Sequence, residues 1–402
     1  MRVLIMTKIF PNVVEPHSAP FNRQQFAALA RRCEVEVLAT IPWFPGARAL
    51  QRWSPAGRLH GVPACEQIDG MRVYHPRFLF VPKLGNGASG PLYAASLASS
   101  IVRYRGQVDV LLGSWAYPDG FATVILAGLL GVASVIKLHG SDMDVVARLP
   151  GSRRRLQWAL PRADRIVAVS GPLATAAHSL GVRAGRVDVV PNGVDACSFK
   201  PADRAEARRE LGVALDDRVV LYVGRVEEEK GALDLVQAFG SEVAGLQGAQ
   251  LVMVGAGAAL EACRAVAAGS RTRVSFVGAR PHGEVPRWLA ACDVLALPSW
   301  HEGMPNVVLE AIACGRRVVA TRVGGIPDVL TCEVLGAMVP PRQPAALAIA
   351  LAQAVATRYD PAAVVAKAQL PDWQRSAELL HVSLLAAVED HRRESGPWSR
   401  AA

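Results

Sequence analysis

Several features that would settle the class of a chain at once are missing from this one. Its seven cysteines, Cys33, Cys65, Cys197, Cys263, Cys292, Cys314 and Cys332, stand singly, with no Cys-x-x-Cys pair. A structural zinc site needs such pairs, so no metal is expected, and an odd, dispersed set reads as reduced, mostly buried thiols of a cytosolic protein. No apolar run reaches the ~20 residues of a membrane span. The longest, over 121–136, contains Gly128 and Gly131 and is bounded by Asp119 and Lys137. A buried helix, a turn and a buried strand account for it. The first run, over 3–6, is too short for the apolar part of a secretion signal. Helix-turn-helix, zinc-finger and aromatic RNA-binding patterns are absent, so no nucleic-acid partner is expected.

Acidic residues are scarce in one half only. Residues 1–195 hold 12 Asp and Glu against 22 Lys and Arg, and the remainder holds 23 against 22. A basic first half suits an anionic partner, either a membrane surface or a phosphate-bearing substrate, although solvated arginines explain it equally. The expected location is the cytoplasm, including the inner face of the cell membrane. With 51% apolar and 20% charged residues, 402 residues build ample core and two or three domains.

Short apolar runs alternate with helical ones. Strands are expected over 3–6, 35–39, 108–112, 133–138, 165–169 and 187–190, with helices over 22–32, after Pro118 and from Pro172. The second half repeats the pattern, with strands over 219–223, 250–254, 274–277, 294–297 and 317–320. Its helices are expected over 231–239, 260–268, 284–291 and 305–314. This is the α/β pattern of two doubly wound parallel sheets, with 191–201 as linker. The expected domains are 1–190 together with a C-terminal helix within 373–402, and 191–372. Ligands of such sheets bind beyond the carboxyl ends of the strands, so the cleft between the domains is the expected site. The tail over 373–392 carries Ala377, Leu380, Val382, Leu384, Leu385 and Val388 at helical spacing.

Three constellations carry chemistry. After the strand over 294–297 come Glu302, Gly303, Met304, Pro305 and Asn306, then Glu310. Pro305 suits a first helical turn, which puts Glu302 in a loop, Glu310 on the helix, and backbone N–H groups at an anion-binding helix end. Two acids beside such an end suit sugar hydroxyls, although a capped helix with a solvated Glu310 is the plain alternative. Gly224-Arg225 and Lys230-Gly231 put two cations in one loop after a strand, suited to phosphate, or simply balanced by Glu227, Glu228 and Glu229. His139-Gly140-Ser141-Asp142 follows another strand. A lone His there is more often structural than a ligand contact, and Asp142 reads as a cap of the helix that follows rather than half of an Asp-x-Asp metal motif. Gly255-Ala256-Gly257 is an incomplete dinucleotide fingerprint, since Leu260 stands where its third glycine would fall. Arg153-Arg154-Arg155 reads as a solvated run or a contact with anionic lipid.

In order along the chain these motifs resemble the retaining family 4 glycosyltransferases of the GT-B fold. The resemblance rests on 139–142, Val169-Ser170, Val190-Pro191-Asn192-Gly193-Val194-Asp195, Gly224-Arg225 with Lys230-Gly231, and Phe276-Val277-Gly278. It continues through Glu302 with Glu310, Gly324-Gly325-Ile326-Pro327 and Trp373. It implies that Arg225 and Lys230 bind a donor diphosphate, Glu310 the ribose and Glu302 the sugar, with His139 near the reacting carbon. Gly140, Asp142, Gly224, Val277, Gly278, Gly303, Met304, Pro305 and Asn306 complete the implied donor contacts, Val277-Gly278 at the base. The partners implied are a UDP- or GDP-sugar and a glycan or lipid-linked acceptor held by the first domain, with no cofactor or metal. Trp43-Phe44-Pro45, His75-Pro76-Arg77 and Tyr117-Pro118-Asp119-Gly120 resemble members acting in bacterial cell-surface polysaccharide and teichuronic-acid-type synthesis. One departure is Ser18-Ala19-Pro20-Phe21, which lacks the glycine the family usually has before the Phe. The competing readings are a nucleotide-sugar epimerase of the same fold and a non-catalytic nucleotide-sugar-binding protein. A dinucleotide oxidoreductase fits less well, given Leu260.

Overall fold

The structure is a computed structural model, and it describes residues 1–50, 54–80, 86–144, 149–241, 243–270 and 273–395. The chain divides into two compact units, Met1–Asn192 with Trp373–Ala402, and Gly193–Asp372. The end of the tail lies outside the described residues from position 396 onward.

The first unit holds β1 (Arg2–Thr7), β2 (Glu34–Ala39), β3 (Ile41–Trp43), β4 (Cys65–Ile68), β5 (Met71–Tyr74), β6 (Arg77–Leu79), β7 (Val110–Ser114), β8 (Ala133–Leu138), β9 (Arg165–Ala168) and β10 (Val187–Val189). Eight of them form one sheet in the order β10-β9-β8-β7-β1-β2-β5-β4, and β3 pairs with β6 beside it. The pairs are parallel except β4–β5. Every residue of β7 and β8 is buried, because helices cover both faces. The two-residue period of β1 divides its side chains between two cores. Val3 and Ile5 meet Phe26 and Leu29 of the helix Pro20–Ala30, together with Leu380 and Leu384 of the C-terminal helix Trp373–Ser395. Leu4 and Met6 meet Leu97 and Ile101 of Asn86–Val102, and Leu126 of Phe121–Leu130. Burial of each such leucine stabilises the unit by roughly 1.5–3 kcal/mol. The buried stripe of Trp373–Ser395 is Ala377, Leu380, Leu384, Ala387 and Val388. Val382 and Leu385, expected on that face, are 58% and 41% exposed, because 3.6-residue periodicity turns them outward.

The second unit holds β11 (Arg218–Val223), β12 (Ala249–Val254), β13 (Arg273–Gly278), β14 (Val294–Leu297), β15 (Arg317–Thr321) and β16 (Gly336–Val339). They form an all-parallel sheet in the order β13-β12-β11-β14-β15-β16. Leu235, Val236 and Phe239 of Ala232–Phe239 pack on it. Strand order reverses between β1 and β7 in one unit and between β11 and β14 in the other, the two switch points where open α/β sheets bind ligands. Both sheets are Rossmann-like, as in the GT-B fold. Among the described residues no helix is long and apolar enough to cross a membrane.

Candidate functional site

At the switch point of the second unit, the loop after β11 crosses the end of β14. Gly231 permits the crossing: its φ is +65°, and a Cβ there would lie 2.1 Å from the Pro298 carbonyl oxygen. Lys230 Nζ consequently reaches Glu302 Oε1 at 2.6 Å, and Ser299 Oγ donates to the same oxygen at 2.7 Å. The lysine side chain is 26% exposed and the glutamate 10%, so the pair is shielded but open on one side. Glu302 is seated from behind by Gly324, which has φ +50° and whose Cβ would lie 1.7 Å from the Glu302 carbonyl oxygen. The next amide, Gly325 N, donates to Gly303 O at 2.7 Å. Trp300 closes this side, with Nε1 donating to Asp234 (2.7 Å) and Arg342 lying 4.1 Å above its ring.

The helix that follows runs Asn306–Ala313. Pro305 does not occupy its first turn. It is the extended residue before the helix, with φ −78° and ψ 104°, while Met304 is buried beneath it. Glu310 lies on the helix and meets His282 Nε2 at 2.9 Å. That bond, opposed by burial, raises the His282 imidazole above its ordinary range, and its ring lies 5.2 Å from Phe199. No sequence signal had marked His282, a single histidine in a loop. Arg225 is mostly exposed and pairs with Glu227 at 2.8 Å, while its carbonyl accepts from Tyr222 Oη at 2.6 Å. Gly278, at the end of β13 beside Val277, accepts from Gly255 N at 2.9 Å. Gly255 and Gly257 serve backbone packing: Cβ atoms there would lie 1.8 Å from the Gly224 carbonyl oxygen and 2.3 Å from that of Val226. This accounts for two glycines without a third.

At the first unit's switch point, Ser114 Oγ donates to Asn22 Oδ1 (3.1 Å), since Asn22 Nδ2 is already spent on Ile9 O (3.0 Å). His139 Nε2, 2.9 Å from the same Oγ, must then carry the proton, which leaves Nδ1 as an acceptor. Burial, with a smaller contribution from Lys137, holds His139 well below its usual range, so the ring is neutral at pH 7. It sits between Phe21 and Trp115 at 5.1 and 5.8 Å. Asp142 does not cap the helix after it. Its carboxylate takes the N–H groups of His139, Gly140 and Ala116 at 2.7–3.2 Å, tying two loops together. Gly140 makes this possible with φ +120°. Lys137 is fully buried and donates to Gln25 Oε1 (2.5 Å), and burial brings it down to about 7 against the pull of Asp142. Asp119 Oδ1 accepts from Lys8 N (2.7 Å) and Tyr93 Oη (3.1 Å), while buried Oδ2 has no partner among the described residues. Burial, opposed by Lys8, raises this carboxyl to about 6. His75 bridges Ala39 O and Glu66, and Arg77 gathers the carbonyls of Leu59, His60 and Val62.

Thus Lys230, Glu302 and Gly303 come together in one unit, with Glu310 paired to His282 and Arg225 to Glu227. His139, Gly140 and Asp142 form a second cluster in the other unit. Among the described residues no group of three or more His, Cys, Asp or Glu side chains is gathered to hold a metal.

Residues 22–196 match the family model described as Glycosyltransferase Family 4, and residues 217–357 match Glycosyl transferases group 1. The chain is 29% identical over 366 residues to a protein of Bacillus subtilis (strain 168) that carries the name teichuronic acid biosynthesis glycosyltransferase TuaC, spanning 90% of this chain and 89% of that one. It is 35% identical over 325 residues to the 2-deoxystreptamine N-acetyl-D-glucosaminyltransferase of Streptomyces fradiae, spanning 73% and 76%. Among solved structures, Anabaena Alr3699/HepE in complex with UDP superposes with a TM-score of 0.67 over 100% of both chains, at 20% identity, a likeness of fold.

Proposed function

The chain belongs to the group 1 and family 4 glycosyltransferases, and on that premise we propose that it moves a sugar from a nucleotide-diphosphate donor to a glycan or lipid-linked acceptor, with retention of anomeric configuration. The observation that carries this reading is the shielded Lys230–Glu302 pair at the second unit's switch point. A cation and a carboxylate held 2.6 Å apart offer adjacent recognition of a phosphate oxygen and a sugar hydroxyl. Lys230, with Arg225, stabilises the negative charge that develops on the diphosphate as the bond to the anomeric carbon breaks. The acceptor oxygen bonds to that carbon on the face the phosphate leaves, and its proton passes to the leaving phosphate oxygen. Glu302 and Glu310 orient sugar and ribose, and the roles given to His139 and Gly140 belong to this proposal, whereas Asp142, its carboxylate taken by backbone N–H groups, holds their loop in place. No cofactor or metal enters it.

Anabaena structures with UDP and UDP-glucose support a uridine donor, with a GDP-sugar as the alternative. The Bacillus relative's name supports a place in cell-surface polysaccharide synthesis, and the basic first half of the chain suits work at the inner face of the membrane. Thermal-shift screening against UDP-, GDP- and ADP-sugars identifies the donor, because a specific ligand raises stability by mass action. Lys230→Ala is expected to lower sugar transfer or donor hydrolysis about 10²–10³-fold, the usual loss for one charge-stabilising donor. Unchanged turnover would sink the assignment.

A further inference from the structure

The helix Phe121–Leu130 is apolar on every side. Its one polar side chain, Thr123, is buried and donates to Asp119 O at 2.9 Å. The face turned outward carries Val124, Ile125, Gly128 and Leu129, with Ile125 and Leu129 each 39% exposed. Helices apolar all round belong in a core or against lipid. The strip continues onto the helix Pro150–Ala159, where Trp158, also 39% exposed, lies 5.4 Å from the Phe121 ring.

Arginines border the strip. Arg162 stacks 4.9 Å from Trp158 and Arg155 lies 6.0 Å from Phe121. Arg154 is exposed one turn before Trp158. The hydrogen bonds of Arg105, Arg155 and Arg162 go to the carbonyls of Leu129, Gly151 and Trp158. Among the described residues none of these four arginines is paired with a carboxylate, so their charge is available to a partner.

We infer that this face docks on an anionic lipid bilayer. Trp158 lies at the headgroup level, Ile125 and Leu129 enter the acyl boundary, and the arginines meet lipid phosphates. A second copy of the chain fits less well, because a two-fold contact would set the arginine border against itself. The inference deepens the membrane part of the reading above. Its test contains no sugar nucleotide, so loss of docking and loss of transfer are read separately.

The full chain is sedimented with vesicles of phosphatidylcholine alone or mixed with phosphatidylglycerol. Binding is expected to the mixed vesicles only, weakening as salt is raised. Arg154→Glu with Arg162→Glu should lower partitioning at least twentyfold, at roughly fivefold for each cation lost near an anionic surface. Ile125→Gln with Leu129→Gln should also lower it while the thermal midpoint stays near that of the parent. Arg31→Glu, exposed elsewhere in the unit, should leave binding unchanged. The inference is overturned by no binding to the mixed vesicles, or by binding indifferent to both double variants. It is also overturned if the apolar double variant abolishes a concentration-dependent dimer, for then a second copy covers the strip.

Discussion

Glu302 owes its position to a glycine 22 residues further along the chain, so Gly324→Ala perturbs the site without touching a side chain in it. The new Cβ would stand 1.7 Å from the Glu302 carbonyl oxygen, where real Cβ atoms stay beyond 3.0 Å, so one loop must retreat by about 1.3 Å. Alanine at φ +50° adds the left-handed cost of about 1–2 kcal/mol. Straining the bond from Gly325 N to Gly303 O adds about 0.5–1.5 kcal/mol. The expected loss of stability is therefore roughly 2–3 kcal/mol, a fall in Tm of about 5–10 °C for a unit of this size. The functional loss should exceed this, since a displacement near 1 Å can cost about a hundredfold in rate. Steady-state donor hydrolysis or sugar transfer, measured per folded molecule well below the melting range, separates the two effects. Gly185→Ala is the control, since nothing lies within 4 Å of its Cβ and its φ is not left-handed. Turnover of Gly324→Ala within a few fold of the parent would refute the idea that this loop positions Glu302.

Two further outcomes concern the first unit. Asp119 titrates near 6 when folded against an ordinary 3.8, so the folded state holds the proton more tightly. Raising the pH from 4 past 6 should therefore cost stability, about 3 kcal/mol over a gap of about two pH units. Asp119→Asn should flatten that slope in thermal melts taken between pH 4 and 7, and an unchanged slope would place the titration elsewhere. Ala19 has φ 42° before the helix Pro20–Ala30, so Ala19→Gly should raise stability by about 0.5–1 kcal/mol once glycine's unfolded-state entropy is set against the relieved strain. A lower Tm would show that the turn is held by contacts rather than strained.

The central strands were legible because burial on both faces leaves little but Val, Ile, Leu and Ala in them, and their ends fell within about two residues of expectation. Other elements were not. The helix Asn86–Val102 begins in Asn-Gly-Ala-Ser-Gly-Pro, a composition that reads as loop, and it forms because Tyr93, Leu97 and Ile101 are buried against the sheet. β3 and β6 have three residues each, too short to show a period, and β16 opens on a glycine. Tertiary burial decides such segments, and a local window carries little of it.

The site divides in the same way. Lys230, Glu302 and Glu310 were marked by residue type and by position after strands, but the pairing of Lys230 with Glu302 and of Glu310 with His282 was not, because these pairs lie 72 and 28 positions apart in sequence. Ser299, Asp234 and His282 acquire their roles from a loop crossing and a helix end. The lineage-like motifs of the first unit show the converse. His75 and Arg77 stand out in the sequence, yet their ring nitrogens and guanidinium are consumed by Ala39, Glu66, Leu59, His60 and Val62. They shape loops at the edge of the sheet rather than present chemistry. Asp119 is tied to Lys8 N and Tyr93 in the same manner. If related chains keep these residues because they fix loop geometry, then the acceptor is chosen by what those loops expose. Exchanging exposed loop residues should then change acceptor preference, whereas replacing His75 or Arg77 should first be felt as lost stability.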